Sequence, residues 1–149
     1  MNGLRGFAVV SAWKDKEIHL PCRKTAKSAG YDIESAVDVD LIPGKIQVIP
    51  TGLKAYMGSD EYLAIHIRSS LGIKHGIMLA NGTGIIDSDY YNNEDNEGHI
   101  MCALYNSSET IFHIDRGDRI AQGIFMKYLT TDDDRAVGKR IGGIGSTGV

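Results

Sequence analysis

The apolar residues of this chain come in short runs, each closed by turn-forming residues, and that pattern leaves little room for anything but a sheet protein. The runs are Phe7–Val10, Ile46–Ile49, Tyr62–Ile67, Ile77–Ala80, His99–Tyr105, Ile111–Ile114 and Ile120–Met126. Between them stand Pro43-Gly44, Gly58-Ser59-Asp60, Asn81-Gly82, Asn106-Ser107-Ser108 and Arg116-Gly117-Asp118. Such runs have the length of strands, and Gly, Pro, Asn, Asp and Ser supply the backbone geometries that join strands. Side chains alternate in Tyr62–Ile67 and Thr110–Ile114 with the period of a strand that buries one face. Only Ser70–His75 reads as briefly helical. The expectation is an all-β barrel or sandwich. At 149 residues the chain is the size of one domain. The polar stretch Asn92–Glu97 is expected to be a solvated loop. Beyond Thr130 the chain turns acidic and then glycine-rich, ending IGGIGSTGV, which cannot pack a core. The expected division is a barrel over 1–130 and an arm over 131–149.

Charge narrows the function classes. Sixteen Lys and Arg against nineteen Asp and Glu give a formal net charge of -3, which argues against a nucleic-acid module with its basic face. The first apolar run is short and is followed by Lys14, Asp15, Lys16 and Glu17, so neither a signal peptide nor a membrane span is expected there. A cytoplasmic location is expected. Cys22 and Cys102 are far apart in sequence and are read as two reduced thiols without a partner base. The five histidines show no ligand spacing, which disfavours zinc.

Five segments carry candidate chemistry: Ala29–Asp32, Arg68–Gly72, Asn81–Tyr90, Arg116–Gln122 and Gly142–Gly148. Arg68 precedes two serines that open the short helix, and a guanidinium, hydroxyls and free N–H groups together suit an anion. The plainer reading of the same residues is a helix N-cap beside an exposed arginine. In NGTGIIDSDY a strand bends at a glycine-containing hairpin and returns as a second strand. Gly82 and Gly84 let the backbone approach a ligand, so main-chain groups and the Asn81 amide can read the edge of a planar base.

In this order and with these spacings the five segments resemble the motifs of the trimeric dUTPase family, from about Gly30 to Gly148. The resemblance implies a jelly-roll-like β-barrel and a homotrimer whose active sites lie between subunits, with the arm of one subunit closing over a site made by its neighbours. It implies hydrolysis of dUTP to dUMP and diphosphate, which limits uracil in DNA and supplies dUMP for dTMP synthesis. Asp87 then matches the aspartate that orients and deprotonates the attacking water. A carboxylate suffices as base where a metal ion and arginine already stabilise the phosphoryl charge. Arg68, Ser69, Ser70, Gln122, Arg140, Gly145, Ser146 and Thr147 would hold the phosphates. Asn81, Gly84, Ile85, Ile86 and Met101 would contact uracil, with hairpin backbone packed against C5 excluding the thymine methyl. Tyr90 would stack under deoxyribose and leave no room for a 2′-hydroxyl. Asp32 would stand behind the metal or phosphate site, and Asp89 has no role beyond structure. Mg2+ is the implied cofactor, arriving with the triphosphate and its waters and not held directly by the protein.

The chain departs from the family pattern in three places. Ile144 stands where a phenylalanine usually stacks on uracil, and base–aromatic stacking is worth about 1–3 kcal/mol. Closure is therefore expected to be weaker unless another aromatic, Tyr91 being the nearest, supplies a platform. The expected outcome of Ile144→Phe is a lower Michaelis constant for dUTP, and no gain would mean that the base is already covered. The segment Tyr91–Glu97 also replaces a shorter step after Tyr90, and Arg140 lies one residue closer to the glycine pair than is usual. Three rivals remain. One is dCTP deaminase, a related fold that usually lacks the DY tyrosine and the GSTG arm. Another is a dUTP-gated binding protein that grips a regulatory protein partner through the Asn92–Glu97 insertion. The last is a β-barrel scaffold with coincidental motifs.

Overall fold

The structure, a computed structural model, describes residues 3–143. It contains eleven strands and one α-helix in that range. In chain order these are β1 (Gly6–Val9), β2 (Tyr31–Glu34), β3 (Val39–Leu41), β4 (Ile46–Pro50), β5 (Leu53–Tyr56), β6 (Glu61–Ile67), α1 (Ser69–His75), β7 (Ile77–Leu79), β8 (Gly84–Asp87), β9 (Met101–Asn106), β10 (Phe112–Ile114) and β11 (Arg119–Lys127). The strands form a four-stranded sheet, β2-β11-β6-β8, a three-stranded sheet, β4-β9-β7, and the pairs β1-β5 and β3-β10. Every ladder is antiparallel. The fold is a jelly-roll-like β-barrel, as expected from the pattern of short runs.

The barrel closes around side chains from every sheet. Ile33, Leu53, Leu63, Leu104, Ile114 and Ile120 are fully buried in one cluster. β6 is the middle of the construction, pairing β11 on one edge and β8 on the other. Gly123 of β11 permits a close approach there, because a Cβ would lie 3.1 Å from Leu63 Cδ1 and 3.3 Å from Ile33 Cδ1. α1 begins one residue before the expected helix and ends at Gly76, whose φ of 66° gives the left-handed cap that stops a helix.

One buried polar side chain ties three parts of the barrel together. Asn106, at the end of β9, donates to the carbonyls of Leu41 and Thr110, both at 2.8 Å. Its Oδ1 accepts from the Ser108 N–H at 2.9 Å and from the Ser108 hydroxyl at 2.7 Å. The two cysteines sit apart in environment as well as in sequence. Cys22 is exposed, and Cys102 is buried in the core, where desolvation pushes its thiol up to about 12. A thiol so held is inert at neutral pH. No helix among the described residues is long and apolar enough to cross a membrane.

The segment Asn92–Glu97 is a loop with Asn92, Glu94 and Asp95 exposed, as expected, but its other side chains bond to one another and to the barrel. Asn93 is buried, and the loop closes on itself through an Asn92 N–H bond to the Glu97 carbonyl and a Glu97 N–H bond to the Asn93 carbonyl. Its outer end is pinned by Lys54, whose ammonium lies 2.6 Å from Asn92 Oδ1 and 2.7 Å from Glu97 Oε2. Amide and carboxylate groups that saturate one another need no water, which is why a polar sequence packs here. Lys54, helped by the Ser11 N–H, holds the Glu97 carboxyl at about 2 against an ordinary 4.5. A depressed carboxylate contributes stability above its unfolded value and loses it as pH falls. The melting advantage of the wild type over Glu97→Gln should therefore be constant above pH 4.5 and shrink as the pH falls toward 2. A pH-independent difference in thermal melts would sink this account.

Candidate active site

Asn81-Gly82 turns the chain where a turn is predicted, but the expected hairpin does not form: β7 pairs with β9 and β8 with β6, so the turn carries the chain from one sheet to another. Gly82 adopts φ 74°, with open space around its absent Cβ. Gly84 serves differently from the expected ligand approach: a Cβ there would lie 3.0 Å from Ile65 Cβ, so its lack of a side chain lets β8 lie flat on β6. The register sets Gly84 opposite Ile65 and Asp87 opposite Tyr62. After Asp87 the strand gives way to a 3-10 turn, Ser88–Tyr90, where the sequence suggested that the strand continues.

A cavity of about 490 Å³ opens beside this turn and β8. Its lining includes Asn81, Gly84, Ile85, Ile86, Asp87, Tyr90, Met101 and Arg140, so every described residue expected at base, sugar or catalysis borders one space. That size suits a small-molecule site, and its walls are mostly apolar with a few convergent polar groups. Tyr90 is buried, and burial raises its phenol above the ordinary value of 10.0. Its hydroxyl donates to the His99 carbonyl at 2.6 Å.

Arg140 arrives at the rim from the C-terminal segment. Its guanidinium pairs with Asp87 and, at 2.7 Å, with Asp89, and it lies 5.9 Å from the centre of the Tyr90 ring. Only 9% of the side chain remains exposed. Asp89, which from sequence has only a structural part, thus helps to hold the arm's arginine. Gly142 and Gly143 pass close to the insertion: Cβ atoms there would lie 3.0 Å from Asp95 Cβ and 3.0 Å from Asn96 Nδ2. Within one chain, then, the start of the arm rests on the chain's own pocket.

Of the expected phosphate ligands, Arg140 borders this cavity, whereas Arg68, Ser69, Ser70 and Gln122 stand outside its lining. Arg68 occupies the N-cap position of α1 without capping it by its side chain, and Ser69 and Ser70 open the helix. Gln122 on β11 pairs with Asp32 of β2 on one side and with His66 of β6 on the other. Arg119 Nη1 lies 3.4 Å from Asp32 Oδ2. Gly30 leaves room for Gln122: a Cβ there would displace the amide end of the Gln122 side chain and lie 3.1 Å from its Cβ. None of Asp32, Arg68, Ser69, Ser70 and Gln122 borders the pocket beside β8. Ile144, Gly145, Ser146 and Thr147 lie outside the described residues. Tyr91, the nearest aromatic to replace the missing phenylalanine, faces elsewhere: its ring meets Tyr56 at 5.8 Å and the Lys54 ammonium at 5.0 Å. Among the described residues no group of three or more His, Cys, Asp or Glu side chains is arranged to hold a metal ion.

Comparison with known proteins agrees with this geometry. The dUTPase family profile matches residues 16–148. A deoxyuridine 5'-triphosphate nucleotidohydrolase from Lactococcus lactis is 49% identical over 147 residues, covering 97% of this chain and 98% of the relative. The crystal structure of dUTPase from Streptococcus mutans superposes with a TM-score of 0.80 at 42% identity, over 85% of this chain and 98% of that one. A mutant dUTPase from phage phi11 of S. aureus, whose structure details a structural Mg(II) ion, shares the fold at a TM-score of 0.73 and 19% identity, over 90% of this chain and 97% of that one. Motif order, barrel topology and near full-length identity converge, and the chain belongs to the dUTPase family.

Proposed function

We propose that this chain hydrolyses dUTP to dUMP and diphosphate, with Asp87 as the general base. One observation carries the assignment of roles: Asp87, the segment Asn81–Ile86 and Tyr90 border a single cavity, so a base read by that segment sits within reach of a carboxylate. Uracil contacts Asn81, Gly84, Ile85, Ile86 and Met101. Its deoxyribose rests on Tyr90. Backbone against C5 rejects thymine by clash. Asp87 takes the proton of the attacking water, and positioning together with charge neutralisation lowers most of the barrier.

The phosphates are held by Arg68, Ser69, Ser70 and Gln122, joined by Arg140, Gly145, Ser146 and Thr147 of the arm, with Asp32 behind them through Arg119. The donor set fits a magnesium ion that enters with the triphosphate, since the described residues offer carboxylates at the rim and no preformed cage. Such an ion supplies neutralisation of the phosphate charge.

A homotrimer explains two features that a lone chain leaves unaccounted for. Base-side and phosphate-side residues lie apart within one chain, and they would meet if neighbours supplied one set each. The outer face of the β4-β9-β7 sheet is also apolar: Ile46, Val48 and Met78 are 62%, 51% and 45% exposed, and a patch of this kind marks an interface. In the trimer residues 1–130 form the barrel and 131–149 the arm, which rests on its own pocket within one chain and in the assembly exchanges that seat for the same pocket of a neighbouring subunit. Work on a free cytosolic nucleotide suits a cytoplasmic enzyme.

Substrate takes Arg140 from Asp87 and Asp89, exchanging two carboxylates for phosphate oxygens. Losing charge-assisted hydrogen bonds costs about 1.5–3 kcal/mol, so Arg140→Ala should raise the Michaelis constant for dUTP by about tenfold to a hundredfold. An unchanged constant would remove Arg140 from the phosphate set. Diphosphate release from dUTP, dTTP, dCTP and UTP with magnesium tests the function as a whole. Hydrolysis of dUTP alone is expected, and ammonia from dCTP would instead point to deamination.

A further inference from the structure

We propose that Asn96 is a positioning residue for sugar selectivity, acting through the Tyr90 hydroxyl to fix the ring that closes the pocket against a 2′-hydroxyl. The inference rests on the dUTP reading and assigns a task to the inserted loop. Tyr90 lies on a 3-10 turn, not in a ladder, so pairing with neighbouring strands does not set the height of its ring. Its two ends are set by the loop instead. Asn93 Nδ2 donates to the Tyr90 carbonyl at 2.8 Å, and Asn96 Nδ2 donates to the Tyr90 hydroxyl at 2.8 Å. The hydroxyl passes its own proton to the His99 carbonyl, so the phenol oxygen is held from both sides.

Asn96 is itself held in place. Its Oδ1 accepts from Asn93 Nδ2 at 2.8 Å and from the Gly98 N–H at 3.1 Å. Asn93 Oδ1 in turn accepts the N–H groups of Asp95 and Asn96, both at 3.0 Å. The loop closes at Gly98, where φ is 87° and a Cβ would strike the Tyr90 carbonyl oxygen at 2.7 Å. Side-chain amides satisfied on both oxygen and nitrogen have one orientation, and they transmit it to whatever they bond. The same Asn96 amide borders Gly143, whose absent Cβ would lie 3.3 Å from the Tyr90 ring. The sugar's floor and the first residues of the arm therefore share one support.

Selectivity between dUTP and UTP distinguishes this role from that of a loop that only folds well. The measurement is kcat/KM for both nucleotides on wild type, Asn96→Ala, Tyr90→Phe and the double variant, with thermal melts alongside. Asn96→Ala should lower the dUTP/UTP ratio about tenfold, the scale of one hydrogen bond, chiefly by improving KM for UTP, with kcat for dUTP nearly unchanged. Tyr90→Phe deletes the same bond from the other partner, together with the hydroxyl's bond to the His99 carbonyl, and should lower the dUTP/UTP ratio at least as far. The double variant should be no less selective than Tyr90→Phe alone, because phenylalanine already lacks the bond that Asn96→Ala removes. An unchanged ratio in Asn96→Ala, or effects that add in the double variant, overturns the proposal. If Asn96→Ala does not fold, Tyr90→Phe decides alone, since it leaves the loop intact, and unaltered selectivity there overturns it equally. A wild-type enzyme inert toward dUTP would remove the functional reading and this inference with it. A selective wild type whose ratio these variants leave unmoved removes only the inference.

Discussion

Asp87→Asn should lower kcat for dUTP by about 10²- to 10⁴-fold, the usual worth of a positioned general base. Asparagine keeps the size and one oxygen of the side chain but cannot take a proton from water. Binding should survive or tighten, because the substrate brings negative charge to a rim that already carries Asp87 and Asp89. A fall in kcat without a rise in KM is the signature of an interaction made only in the transition state. Asp89→Asn is the matching control. It removes the second carboxylate on Arg140 and leaves the proton acceptor, so its effect should fall mainly on KM. Single-turnover kinetics on both variants check the assignment, and wild-type turnover in Asp87→Asn would end it.

The largest effect on stability is expected at Asn106. It is fully buried, and its amide answers two carbonyls and two donor groups from β3 and the turn into β10. Leucine has a similar volume, so Asn106→Leu would open no large cavity. It would instead take one hydrogen bond each from the Leu41 carbonyl, the Ser108 N–H and the Thr110 carbonyl, the last of which keeps the Ser108 hydroxyl, at about 1 kcal/mol apiece. A loss of about 3 kcal/mol is the conservative sum, and for a chain of this length it corresponds to a melting temperature lower by about 10 °C. Melts of both proteins at one concentration test this, since assembly adds a concentration-dependent share of stability. A shift within error would mean that water replaces the amide at no cost.

How far the sequence reaches depends on what forces each element. All seven apolar runs overlap strands, and the Asn81-Gly82 turn does join β7 to β8. β2, β3 and β5 do not stand out, because each has three or four residues and carries Asp32, Asp40 or Lys54 within it. Their extended form is imposed by β11, β10 and β1 across the ladder, a tertiary effect no local window contains. The pocket residues were legible because the motifs are contiguous in sequence. Arg140 between Asp87 and Asp89 was not, since ion-pair partners fifty residues apart leave no spacing to read. The loop 92–97 was legible as a loop with exposed residues, but the mutual bonds of Asn93 and Asn96 were not, because composition counts polar atoms without saying which of them answer one another.

The chain's single tryptophan gives the site a gauge of its own. Trp13 stacks on His99 with ring centres 5.9 Å apart, and the His99 ring accepts the Gly52 N–H at 2.9 Å while its carbonyl receives the Tyr90 hydroxyl. Burial lowers the His99 pKa from its ordinary value of 6.5, so near neutral pH the imidazole is uncharged and is not a cationic quencher of the indole. Any tilt of Tyr90 as a nucleotide arrives would pass through His99 to Trp13. Intrinsic emission then becomes a label-free optical record of how the floor of the pocket settles, readable on the timescale of mixing.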